Sequence, residues 1–202
     1  MRTLAGVAAD PGSVTSELVL PSGMTLVLRP LEPSDRGGLT SFLDGLSARS
    51  RLYGGAAGDA AAQAVEACHA IGRFDKLRLV VCESDRDRDG TARIVGLLEL
   101  SFDIVAADAE RFHGYGVDLG TGDARFGLCI ADAMQGTGAA DLASTATFDV
   151  ARAFGRTRLI LWGGVRDDNV RARRFYQRLG FTELGTWVEP GGDIVRDGLL
   201  EL

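Results

Sequence analysis

The chain has 202 residues, 46% of them hydrophobic and 25% charged, which excludes a disordered or fibrous protein and leaves room for one domain with a sizeable core. The net charge of −6 argues against a nucleic-acid or anionic-membrane partner and suits a cationic substrate. Cys68, Cys82 and Cys129 form neither a disulfide framework nor a C-x-x-C pair, which points to a reducing, cytoplasmic location, and two histidines, His69 and His113, argue against a metal site built on imidazole.

Residues 1–16 read as a loose leader, with folding onto the domain as the alternative, and their short apolar run stops at Asp10-Pro11, too short for a signal peptide. No apolar run approaches the roughly 18 residues of a membrane span. Glu17–Leu20 and Met24–Leu28 read as a hairpin around Pro21-Ser22-Gly23. Ser34 is a candidate N-cap for a helix reaching Leu46, with Leu39, Phe42, Leu43 and Leu46 on its buried face. The alanine-rich run Ala56–Ile71 predicts a further helix. Leu77–Glu83 and Ala92–Phe102 predict strands joined by a charged turn, Ser84–Gly90. Asp103–Asp123, rich in glycine and acids, reads as irregular chain, a candidate cover for the cleft or contact for a second copy in a homodimer.

The next stretch organises the rest. The apolar run Phe126, Leu128, Cys129, Ile130 ends at Asp132. The turn Gln135-Gly136-Thr137-Gly138 then feeds the helix-forming run Ala139–Phe154. A strand passing through a glycine turn into a helix presents unpaired N–H groups at a partly positive helix end, a place for a phosphate or pyrophosphate; a tight turn with no ligand has the same outline. A P-loop is excluded because Ala139-Ala140 follow Gly138 where Lys-Ser/Thr would be needed. A dinucleotide fingerprint is disfavoured because Asp141 stands where a third small residue belongs. After the short buried strand Leu159–Trp162, Asn169 opens a helix with Val170, Arg173, Arg174 and Gln177 on its outer side. Gly180 closes it, and Phe181 begins the last strands, which end at Ile194–Leu202.

Two motifs, Gln135-x-x-Gly138-x-Ala140 and Asn169-x-x-Ala172-x-x-Phe175-Tyr176-x-x-Leu179-Gly180-Phe181, stand in this order with a helix and a strand between them. Together they resemble the acyl-CoA loop and C-terminal motif of the GNAT superfamily of acetyl-CoA-dependent N-acetyltransferases. The resemblance covers the chain in element order from about residue 26 onward and is sharp over 126–140 and 159–181. It implies an α/β fold over residues 1–202: a mixed, mostly antiparallel central sheet flanked by helices, with strands splayed at the cofactor cleft.

The same resemblance implies acetyl-CoA as co-substrate, no metal, and an amine acceptor. N–H groups of Gly136, Thr137, Gly138, Ala139 and Ala140, with Gln135, would hold the pyrophosphate. Backbone near Leu128 and Ile130 would hold the pantetheine arm. Tyr176 matches the tyrosine that protonates the departing thiolate, and packing is its alternative role. Asn169 matches a residue bonding the pantetheine or the splay, and a plain N-cap is equally open. Many relatives carry a glutamate where this chain has Arg125, so the base is not carried over. Glu99 is the best substitute, acting on the amine through water, unless it is only a solvated strand residue; Asp132 is second. Arg125 is a candidate ligand for a carboxylate on the acceptor. The expected activity is acetyl transfer to a small-molecule primary amine in a ternary complex. The alternatives are a protein lysine or N-terminal acetyltransferase acting on a peptide amine, and a CoA-binding regulatory module without turnover.

Overall fold

The computed structural model describes residues 1–54, 58–72, 75–86 and 92–202. Among them, nine strands form one sheet in the order β1-β2-β3-β4-β5-β6-β9-β7, with β8 paired to β9. The strands are β1 (Ser16–Val19), β2 (Thr25–Pro30), β3 (Lys76–Arg86), β4 (Ala92–Ser101), β5 (Asp123–Ile130), β6 (Arg158–Leu161), β7 (Val165–Arg166), β8 (Thr182–Val188) and β9 (Ile194–Glu201). Every pairing is antiparallel except β5 with β6. The single parallel pair follows from its connection, since α6 (Ala139–Ala153) crosses between the two strands.

Strand alternation divides the side chains between two cores. On one face Leu77, Leu79, Val81, Leu98, Leu100, Phe126 and Leu159 pack under α6 through Ala139, Ala143 and Phe148. On the other, Val80, Cys82 and Ile94 lie under α2 (Arg36–Asp44) and α4 (Ala60–His69) through Leu39, Phe42, Leu43, Ala64 and Ala67. The start of α2 is fixed by a reciprocal cap between Glu32 and Asp35. Buried Asp35 also takes a two-pronged bond from Arg29 at 2.7 Å on each oxygen. Ser47 caps α3 (Ala48–Tyr53) and Asp59 caps α4. Of the expected 56–71 helix, Ala56 and Ala57 lie outside the described residues, as do residues 87–90 of the expected charged turn.

Two expectations need correction. The leader is not loose: Thr3 caps α1 (Leu4–Ala9), Val7 and Val14 are buried in the main core, and Arg2 N–H donates to Ala153 O at 2.8 Å. Its apolar residues were too few for a period to show. The 103–123 segment is not irregular throughout, because it folds a helix, α5 (Ala106–His113), whose Phe112 is fully buried against Ile160 and Leu199. Burying one phenylalanine contributes roughly 1.5–3 kcal/mol, enough to seat so short an element on the sheet.

Candidate active site

β5 and β6 run side by side only from the Asp123–Arg158 pair to the Phe126–Leu161 pair. One further bond, Trp162 N–H to Phe126 O at 2.9 Å, ends their contact. Residues 127–130 stay paired with β4 alone, so the two parallel strands splay. Ala131 N–H donates toward β4, to Val95 O, at 2.9 Å. Backbone direction alternates along a strand, so the N–H and C=O groups of Leu128 and Ile130 point away from β4 into the gap.

The glycine turn closes one end of that gap. Gly136 (φ 82°) and Gly138 (φ 93°) adopt the left-handed conformation that a β-carbon disfavours. A β-carbon on Gly138 would also lie 3.3 Å from Pro21 Cδ. Among the described residues, the N–H groups of Gly136, Gly138 and Ala140 have no acceptor, and they open the 15-residue helix α6. Unpaired donors at a helix start, on a backbone stripped of side chains, fit a pyrophosphate. Thr137 and Ala139 are engaged locally: Thr137 Oγ1 donates to Met134 O (2.7 Å) and accepts weakly from Ala139 N–H (3.4 Å). Gln135 does not point into the turn. Its Oε1 accepts from Arg171 Nη1 at 2.6 Å, and its Nε2 reaches Ser50 Oγ at 3.2 Å. Arg171 thereby stands beside Gly136 as a cation at the phosphate end. It went unnoticed in the sequence because the arginine-rich helix α7 (Val170–Arg178) offers several equivalent candidates.

Asn169 caps α7, its Oδ1 accepting from Ala172 N–H at 3.2 Å. Tyr176 on α7 leans its half-buried ring on Phe126, Phe175 and Phe181. Phe175 is half-buried, while Phe181 is buried. The Tyr176 hydroxyl makes no hydrogen bond to the described residues. Burial, then the neighbouring Cys129, pushes its pKa upward, so the phenol keeps its proton. Burial likewise pushes the Cys129 thiol up to about 12, helped by Asp132, so Cys129 is no nucleophile near neutral pH.

On the α2/α4 face the sheet carries a polar row running into the splay. Arg78 on β3 pairs with Glu99 on β4, and Glu99 with Gly127 on β5. Arg78 Nε donates to Glu99 Oε1 at 2.6 Å. Gly127 has no side chain, and the Trp162 ring lies beside the place where one would be, 3.8 Å away. Glu99 therefore borders bare backbone at the mouth of the gap. A cavity of about 350 Å³ opens above it, walled by Leu39, Leu43, Ala67 and Leu97, with Glu66 and the Arg78–Glu99 pair as charged lining.

Arg125 stands one row further along. It donates to Asp103 O, Asp103 Oδ1 and Ser101 Oγ, each at 3.1 Å, and lies 3.7 Å from Asp108. With those partners its guanidinium is occupied, which weakens its candidacy for an acceptor carboxylate. Asp108 passes the chain of charges to Arg111 and so to fully buried Asp197. That network ties α5 to β5 and β9. Asp132 is employed elsewhere: it accepts from Ser47 N–H (2.8 Å), Ser47 Oγ (3.0 Å) and Ser50 Oγ (2.6 Å), and these bonds hold its carboxyl below the ordinary aspartate value. It anchors the Ser47 cap of α3 and is a poor base. Among the described residues there is no cluster of histidine, cysteine and acidic side chains that could hold a metal, and no helix long and apolar enough to cross a membrane.

A sheet splayed at a single parallel pair, with a glycine turn and helix at the gap, is the arrangement of an acyltransferase fold. The model of the acetyltransferase (GNAT) domain matches residues 25–182, and the chain belongs to that family. No curated protein matches it. Solved structures similar to it include the GNAT domain of S. lividans PAT (22% identity, covering 95% of this chain and 99% of that one, TM-score 0.70). Mycobacterium smegmatis RimJ in complex with CoA-disulfide is also similar (18%, 93% and 86%, TM-score 0.62). So is aminoglycoside acetyltransferase AAC(6')-Ib in complex with coenzyme A (18%, 87% and 94%, TM-score 0.62). At these identities the likeness is one of fold.

Proposed function

We propose that this acetyltransferase uses acetyl-CoA to acetylate a small primary amine directly in a ternary complex. The observation that carries this reading is the placement of Glu99 beside Gly127, where an open cavity meets the splayed strands. The free backbone donors of Gly136, Gly138 and Ala140, with Arg171 beside them, hold the pyrophosphate, and Leu128 and Ile130 line the pantetheine path. The amine enters from the α2/α4 side as a cation, which the carboxylates of Glu66 and Glu99 favour. It has no lone pair until a proton leaves, and Glu99 takes that proton directly or through one water. The neutral amine then attacks the thioester carbonyl, whose developing charge faces the Ile130 N–H. Tyr176, its proton held firmly, donates to the leaving sulfur.

The cavity sits at the small end of the usual range for ligand sites, about 300–1,000 Å³, and its lining mixes leucine and alanine with Glu66, Arg78 and Glu99. The small volume favours a compact amine over a large polycation or a folded protein surface. RimJ and AAC(6')-Ib have this fold, so the fold itself does not choose an acceptor. A thiol-release assay over a panel of small amines and short lysyl or N-terminal peptides tests the reading. Small amines should have the higher kcat/KM, and Glu99→Gln should lower it on the order of 10²-fold near neutral pH, with a smaller loss at high pH. Preference for peptides would overturn the acceptor class. Full activity in Glu99→Gln would remove the base, and binding of CoA without any turnover would leave a regulatory module.

A further inference from the structure

Lys76 is the only lysine in the sequence. It lies on β3 in the row next to Arg78 and Glu99, opposite Ser101, which is itself opposite Arg125. Its side chain is half-buried and turned along the sheet toward the splay, with Nζ 4.1 Å from the centre of the Trp162 ring. The same ring borders Gly127 at the start of the gap. Lys76 and the open backbone of β5 are thus separated by one indole. Among the described residues, no carboxylate lies within ion-pair distance of Nζ, although Arg78, Arg125 and Arg111 each have one. A lone amine one indole away from that gap is itself a candidate acceptor.

We propose that Lys76 is a self-acetylation site, modified by the acetyl-CoA bound in its own cleft. The inference rests on the acetyl-transfer reading above. Glu99 removes a proton from the Lys76 ammonium. The Nζ lone pair forms a C–N bond to the thioester carbonyl carbon, the C–S bond breaks as the departing thiolate takes the proton of Tyr176, and the second proton of the attacking nitrogen restores the Tyr176 phenol. The products are Nε-acetyl-lysine and free CoA, with no oxidant or further reactant. The surroundings favour the neutral amine that this step needs. Burial lowers the Lys76 pKa, Arg78 and Arg125 lower it further, and Glu99 and Asp103 oppose them.

The full-length chain incubated with acetyl-CoA and no acceptor should gain the mass of one acetyl group, mapped to Lys76 by peptide fragmentation. The rate should saturate with acetyl-CoA, stay independent of protein concentration, and fall in Glu99→Gln, and Lys76→Arg should lose the mapped label. A second readout needs no cofactor. Competitive labelling with acetic anhydride across a pH series should show Lys76 becoming reactive below the ordinary lysine value of 10.5. The proposal is overturned if Lys76 stays unmodified, or if its labelling rises without saturation and is unchanged in Gly138→Val, the signature of uncatalysed acetylation. It is also overturned if the anhydride series shows an ordinary lysine. Thermal stabilisation by CoA and transfer to added amines report separately on the enzyme reading. If both hold while Lys76 remains free, only the self-acetylation proposal fails.

Discussion

The two walls of the cleft are built by different physics. The cofactor wall is backbone: a strand whose ladder partner leaves it after Phe126, and a turn in which two glycines remove side chains from the donors. The proposed acceptor wall is side chain: Glu66 and the Arg78–Glu99 pair line the cavity, and a network from Arg125 through Asp108 and Arg111 to Asp197 adjoins them outside its lining. Backbone recognition tolerates little change in conformation but much change in sequence elsewhere. A wall of paired charges can be re-specified one residue at a time. On the proposed reading, the difference teaches where specificity lies: the co-substrate is read by the main chain, and the acceptor by side chains that the family motifs do not include.

The contrast predicts effects of decreasing size. Gly138→Val should nearly abolish CoA binding, because it misplaces at least two donors to a charged ligand, each contributing about 1.5–3 kcal/mol. Titration calorimetry should show a loss on the order of 10²-fold or more, and near-normal affinity would mean that the turn is not the phosphate site. On the other wall, Asp197→Asn leaves Arg111 without its fully buried partner. It should lower stability in urea by about 3–5 kcal/mol, and a loss under about 1 kcal/mol would show the network to be no more than a surface pair. Tyr176→Phe crosses between the walls. It should reduce kcat on the order of 10²-fold with little change in CoA affinity, and an unchanged kcat would return Tyr176 to packing. The smallest effect concerns the junction. Asp132 holds α3 through a carboxyl whose pKa is depressed by its bonds to Ser47 and Ser50. Its contribution is therefore present above the ordinary aspartate value and is lost as the pH falls through the folded one. Amide exchange of α3 should accelerate in acid, and Asp132→Asn should remove that dependence.

Much of the cofactor wall was legible in the sequence because its signals are local. The Gln135–Ala140 turn, the cap at Asn169 and the glycine at the end of α7 each occupy a few consecutive residues whose types dictate backbone conformation. The acceptor wall was not legible in that way. Glu99 finds Arg78 only through strand register, and Arg111 finds Asp197 across 86 positions. The glycines of 103–123 hid α5 because its one deeply buried anchor, Phe112, gives no helical period by itself. In the same way Lys76, at the start of β3, carries no local signal, and its place beside Trp162 emerges only from the fold.

A crystal structure with bound CoA tests the central claim most directly. The account predicts the pyrophosphate on the N–H groups of Gly136, Gly138 and Ala140. It places the sulfur in the gap beside Gly127 and Leu128, within hydrogen-bond reach of the Tyr176 hydroxyl, and Glu99 across the cavity from it. CoA bound away from the splay, or a sulfur shielded from the Glu99 side of the sheet, would contradict it.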